Sequence, residues 1–307
     1  HHRSSAASDV YKRQVLDLGS NTFNIKFVTF KNREVRSIFK YKKYINIIAS
    51  TNPDGNIQKN KERELFQTFE EFKSIIDIQK PDALKVIATN SFRRIKDKAF
   101  VSNAETILGN KIDIISSDQE GEFVFKGVSS SNKIGERKYF ILDIGGSSTE
   151  IIKVSEDKIS KIVSLQVGSV FLSNKFIKGK KFLYEKASKY VAKEFEREGI
   201  SEMSFKNKKP LYGTSGSFKT AYRACQILMN AESSSIKENV ANILSNTDKL
   251  DSSKSELKNY INPYRINILP SCLIILDCIL HNLGVSDVYK SGGGLREGVI
   301  DELIQQD

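Results

Sequence analysis

The chain has 307 residues, 39% of them hydrophobic, and a net charge of +11. That length holds about two domains, each able to bury its own core, and no apolar run supplies the ~20 clean residues that a bilayer crossing takes. Three cysteines without metal-ligand spacing, and a single histidine (His281) beyond the terminal His1 and His2, all but exclude a zinc site or a His-based nucleophile.

Residues 1–14 do not resemble a domain start and read as a tag or scar, with the native chain beginning near Val15. Residues 15–18 and 23–30 read as two strands joined by a glycine turn, and 35–41 as a third. The stretch 61–78 places Leu65, Phe69, Phe72 and Ile76 on one helical face, and Pro81 ends it. A buried strand at 83–89, a helix at 100–108, a strand at 112–115 and a helix at 119–128 follow. The strand–turn–strand order restarts at Tyr139 and continues at 151–154 and 159–165. An amphipathic helix at 182–198 precedes a strand from Leu211 that opens the helix 218–229. Peripheral helices are expected across the Ser-, Asn- and Lys-rich stretch 231–262, then a buried helix at 266–283, a strand and turn at 288–294 and a closing helix at 295–305. This alternation predicts an α/β protein with two sheets. The expected boundaries are 15–128 for the first domain and 129–295 for the second, with the segment 296–307 packing back on the first.

One phrase occurs twice. Asp17 is followed by Gly19, Ser20, Asn21 and Thr22; Asp143 is followed by Gly145, Gly146, Ser147, Ser148 and, beyond Thr149, by Glu150. A glycine turn with hydroxyl side chains between two strands can hold phosphate oxygens, although an ordinary hairpin also favours Gly, Ser and Asn. Recurrence makes coincidence much less credible. A carboxylate beside such a turn suits a hard, oxygen-bound cation such as Mg2+, so Asp143, Glu150 and Asp17 are candidate ligands. Arg93 follows a strand that ends in small polar residues and can bring a guanidinium to phosphoryl oxygens; Arg94 reads as a surface residue. Glu120 stands in the first turn of a helix, where the dipole favours a carboxylate. Gly213, Thr214, Ser215 and Gly216 form a further Gly/Ser turn. The basic stretches 40–44, 178–181 and 206–209 fit steering of a polyanion but match no nucleic-acid-binding motif.

Together these segments resemble the exopolyphosphatase / guanosine pentaphosphate phosphatase (Ppx/GppA) family of the actin–sugar kinase–Hsp70 superfamily. Asp17–Thr22, Ala88–Arg93, Ser116–Gly121, Asp143–Glu150, Leu165–Leu172, Gly213–Gly216 and Gly294–Gly298 follow its motifs in order. Gln119, Asn24, Ser91 and Ser147 depart from the usual residues. The resemblance implies two actin-like (ribonuclease H-like) α/β domains with an interdomain cleft, as in the short members that lack a C-terminal helical extension. It implies Mg2+-assisted hydrolysis of a terminal phosphoanhydride in inorganic polyphosphate or guanosine pentaphosphate. Glu120 would then be the base, Arg93 a clamp, and the two turns the phosphate grip. The turn 213–216 would border a nucleotide or pack the second domain. A homodimer through the second domain is expected at family level; a cytoplasmic location, with neither membrane nor nucleic acid as partner, is expected because no secretory signal is visible. A small-molecule kinase of the same superfamily and a non-catalytic polyphosphate- or alarmone-binding protein are the alternatives.

Overall fold

The structure is a computed structural model that describes residues 10–32, 34–179, 181–230 and 232–305. Most of the expected N-terminal tag therefore lies outside the described residues, as does Lys180 of one basic stretch. The described residues fall into two compact units, one running to Ser116 and resuming at Arg296, the other spanning Ser117–Leu295.

In the first unit, β1 (Tyr11–Leu18) and β2 (Thr22–Lys31) form a hairpin, and β3 (Glu34–Tyr44) extends it antiparallel. After α1 (Lys59–Gln79), β4 (Ala83–Ala88) joins β1 in parallel. The short α2 (Asn90–Arg93) and then α3 (Lys98–Leu108) lead to β5 (Ile112–Ile114), parallel to β4. Parallel neighbours need such crossovers. The periodicity of α1 buries Leu65, Phe69, Phe72 and Ile76 with Leu16, Leu18, Phe23 and Ile25 in one core.

The first strand starts at Tyr11, earlier than the expected position 15, because residues 11–14 pair with β2 from Phe30 to Phe27. Arg13 is buried there; its Nε donates to the Leu303 carbonyl at 3.3 Å, and its guanidinium lies 5.6 Å from both the Tyr11 and Phe30 rings. Tyr11–Gln14 thus form the start of β1.

The second unit repeats the plan. It opens with α4 (Ser117–Ser131), followed by the antiparallel strands β6 (Lys138–Ile144), β7 (Thr149–Ser155) and β8 (Lys158–Leu165). Then come α5 (Ser169–Phe176), the small hairpin β9 (Ile177–Lys178) and β10 (Lys181–Phe182), and α6 (Tyr184–Arg197). Next, β11 (Lys209–Thr214) joins β6 in parallel. It is followed by α7 (Ser215–Met229), α8 (Ile236–Ser245), α9 (Thr247–Leu257), α10 (Pro263–Ile266) and the buried α11 (Leu269–Leu283). Finally β12 (Val285–Lys290) pairs with β11 in parallel.

The sheet orders are β3-β2-β1-β4-β5 and β12-β11-β6-β7-β8. Numbered by appearance within each unit, both read 3-2-1-4-5, so the repeated phrase is the outward sign of a duplicated α/β fold. The helix that follows each fifth strand groups with the other unit. α4 packs Val124 and Val128 against Tyr139, Ile141, Ile152 and Val154, so it belongs to the second unit rather than to the first, as the boundary at 128 had expected. α12 (Leu295–Gln305) returns to the first sheet, where Glu302 pairs with Lys85 at 3.2 Å and Glu297 with Lys26 at 2.9 Å. Among the described residues no helix is long and apolar enough to cross a membrane.

Candidate active site

The two glycine turns are the same structure built twice. Leu18 opposes Phe23 and Ile144 opposes Thr149, leaving four-residue loops at 19–22 and 145–148. The Gly19 amide donates to the Thr22 carbonyl at 3.2 Å, and the Gly145 amide to the Ser148 carbonyl at 2.9 Å. A Cβ on Gly19 would stand 3.0 Å from the Thr22 carbonyl oxygen, and one on Gly145 2.9 Å from that of Ser148. Glycine is needed at both loop entries for close approach.

The bracing is repeated too. Residues after the third strand of each sheet donate amides to the turn carbonyls. In the first unit Ile45 and Ile47 donate to Asn21 and Ser20 at 3.0 and 3.1 Å. In the second, the start of α5 supplies the amides of Ser169 to Gly145, and of Val170 and Phe171 to Gly146, at 2.9–3.0 Å. The start of the helix after the fourth strand adds a hydroxyl: Ser91 of α2 bonds Ser20 in the first unit, and Ser215 of α7 donates to the Ile144 carbonyl at 2.7 Å in the second. Carbonyls held from behind leave the loop amides and hydroxyls as the groups suited to anions.

Asp143 and Glu150 lie directly opposite each other across the β6–β7 hairpin. Opposed residues of an antiparallel pair share one sheet face, so both carboxylates stand on the same side beside the second turn. Ser164 on β8 donates to Glu150 Oε1 at 3.0 Å. This paired, hard-oxygen arrangement fits Mg2+, which is commonly held by one or two carboxylates with water and substrate phosphates completing its shell. Among the described residues no group of three or more His, Cys, Asp or Glu side chains gathers to hold a metal ion.

The equivalent pair in the first unit is Asp17 and Asn24. Asp17 has a protein partner. Asp17 Oδ2 accepts a hydrogen bond from Arg296 Nη1 at 2.9 Å, so its carboxylate is engaged by the segment Gly294–Gly298. Burial pushes the Asp17 carboxyl above its usual range, against the lowering pull of Arg296. Asn24 bonds back to the turn: its Nδ2 donates to the Thr22 hydroxyl at 2.8 Å and to the Thr22 carbonyl at 3.2 Å. The departure at Asn24 therefore stiffens the turn.

Glu120 is buried in the first turn of α4. Arg93 closes α2, and its Nη1 donates to the Ile115 carbonyl at 2.6 Å. That carbonyl lies just ahead of α4, so Arg93 secures the segment leading to Glu120. The turn 213–216 is a packing junction. A Cβ on Gly213 would come within 2.1 Å of the Phe218 ring, and Thr214 donates its hydroxyl to the Gly293 carbonyl at 2.7 Å. Ser215 adopts φ +69°, a strained left-handed conformation for a residue with a side chain.

Two arginines went unread in the sequence. Arg296 was legible only as part of a motif. Arg265 on α10 carried no signal: it is distant in sequence from Gly216, yet a Cβ on Gly216 would stand 2.0 Å from its guanidinium.

A duplicated 3-2-1-4-5 α/β fold with matched hairpin turns defines an actin-like two-domain protein. Comparison then gives the lineage: the model of the Ppx/GppA phosphatase family matches residues 28–307, and the chain belongs to that family. It is 27% identical over 302 residues to the guanosine-5'-triphosphate,3'-diphosphate pyrophosphatase of Aeromonas hydrophila, covering 94% of this chain and 58% of that relative. The chain thus spans little more than half the length of that relative. Two crystal structures share the fold. The Aquifex aeolicus Ppx/GppA family member is 21% identical with a TM-score of 0.75, covering 97% of this chain and 99% of that one. An exopolyphosphatase from Cytophaga hutchinsonii is 18% identical with a TM-score of 0.81, covering 96% and 98%.

Proposed function

We propose that the chain hydrolyses the terminal phosphoanhydride of a linear phosphate substrate, inorganic polyphosphate or guanosine pentaphosphate. The observation that carries this reading is the second turn, where loop amides and hydroxyls stand beside the in-register carboxylates Asp143 and Glu150. Membership of a phosphatase family and the names of its relatives support it.

In this reading the amides and hydroxyls of Gly19–Thr22 and Gly145–Ser148 position phosphoryl oxygens and remove the entropy cost of aligning them. Asp143 and Glu150 would hold Mg2+, which would supply neutralisation of the charge developing on those oxygens. Glu120 orients a water and takes its proton as the phosphorus–oxygen bond forms; the phosphate chain leaves from the opposite side. Arg93 serves the same step by fixing the entry to α4, besides presenting positive charge to phosphate. Asp17 supports the first turn through Arg296 rather than by holding metal.

Phosphate release by the purified chain with Mg2+ tests the reading, with polyphosphate, guanosine pentaphosphate and ATP plus sugar or acid acceptors compared side by side. Release from either of the first two is expected. Transfer to an acceptor, or binding without release, would overturn it.

A further inference from the structure

Edge strand β3 carries lysines along the face of the first sheet that holds Asp17 and Asn24. Strand register places Thr22 opposite Tyr44, Asn24 opposite Lys42 and Lys26 opposite Lys40. Opposed residues share a face, so Lys42 and Lys40 lie beside Asn24 and Lys26, one strand spacing of ~4.8 Å outward. They stand roughly 7 and 13 Å along the strand from the level of the first turn.

The neighbouring cations are already engaged. Lys26 pairs with Glu297, Lys43 on the opposite face with Glu71, and Arg36 with Glu34. Lys40 and Lys42 are exposed and form no ion pair among the described residues. The Lys42 ammonium lies 5.2 Å from the centre of the Tyr44 ring, which draws it toward the turn. β3 also ends its sheet, so its outer edge has no strand partner among the described residues.

We propose that Lys40 and Lys42 form an outer subsite for the distal part of a long polyphosphate chain that passes the first turn. The inference rests on the hydrolase reading and deepens it, because such a subsite makes affinity depend on chain length. The competing explanation is that edge lysines, with the register shift between Thr29 and Phe30, guard against edge-to-edge pairing.

The test is the Lys40→Gln variant of the full chain, with Lys40→Gln/Lys42→Gln beside it, assayed on long-chain polyphosphate and on tripolyphosphate, whose short span can reach the level of Lys42 but not the ~13 Å to Lys40. For the long chain KM should rise about three- to tenfold with kcat unchanged, and the salt dependence of KM should become shallower. Tripolyphosphate kinetics should not move for Lys40→Gln and should change much less than long-chain kinetics for the double variant. Equal changes on both substrates, or none on the long chain, would overturn the subsite. Self-association of the variant with unchanged kinetics would assign the lysines to edge protection instead. If the wild-type chain hydrolyses neither substrate, the hydrolase reading has failed on its own; direct binding of long-chain polyphosphate then tests the subsite, and equal binding by variant and wild type overturns it.

Discussion

Gly168 lies where a single methyl group should disable the second turn. It caps α5 in an extended conformation, φ −124°, that any residue can adopt. Replacement by alanine therefore costs nothing in backbone conformation; the cost is space. A Cβ would stand 2.4 Å from the carbonyl carbon of Gly146 and from the amide of Ser147. Restoring a contact of ~3.5 Å requires a shift of about 1 Å. The turn cannot take that shift freely, because the amides of Ser169, Val170 and Phe171 tether Gly145 and Gly146 at 2.9–3.0 Å. A ~1 Å misplacement of positioning groups can cost about 100-fold in rate, or ~2.7 kcal/mol of barrier. Overpacking of this kind also costs roughly 1–3 kcal/mol of stability. Gly168→Ala should therefore lose about two orders of magnitude in kcat/KM for phosphate release, with a lowered urea midpoint. Ser169→Ala is the control: it removes the hydroxyl bond to the Gly145 carbonyl at 3.2 Å and keeps the amide tether, so it should lose much less. A Gly168→Ala protein with wild-type kcat/KM and stability would refute the argument.

Two further predictions concern the first unit. Arg296→Ala leaves Asp17 buried without its partner; loss of a fully buried pair costs ~3–5 kcal/mol. Arg296 is 35% exposed, so a loss of about 2 kcal/mol in urea denaturation is expected, and no loss would show the pair to be incidental. Burial alone would raise the Glu297 carboxyl, but the charge and hydrogen bond of Lys26 outweigh it and hold the group below its ordinary 4.5. A depressed carboxyl contributes stability above that value, lost as pH falls through the folded-state pKa. Asp17, raised above 3.8, acts in the opposite sense, contributing less as pH rises. Glu297→Gln should thus lower stability at neutral pH and flatten the loss below about pH 4.5. Stability curves of unchanged steepness in acid would contradict the assignment.

The sequence carried the fold wherever periodicity was local. The face of Leu65, Phe69, Phe72 and Ile76 became the core side of α1, and both glycine turns fell between strands as expected. It failed where distant partners decide. Tyr11–Gln14 look polar in isolation, yet β2 and β4 bury Arg13 and Gln14. The short α5 offers little pattern over Ser169–Phe176, and its role comes from amides that reach back to Gly145 and Gly146. The domain boundary moved because α4 is fixed by packing on β6 and β7, which follow it in the chain. In the site, the acids and turns could be read as a repeated phrase. The clamp of Arg296 on Asp17, between residues 279 apart, could not. Nor could the approach of Arg265 to Gly216, or the strain at Ser215, since no local pattern encodes them.

In the proposed function Glu120, buried at the start of α4, activates the water that attacks the phosphate chain. Glu120→Gln keeps the side chain's shape and removes the base. Phosphate release with Mg2+ should fall by at least ~100-fold, while binding of the phosphate chain persists near the wild-type level. A variant that releases phosphate at close to the wild-type rate would show that Glu120 is not the base.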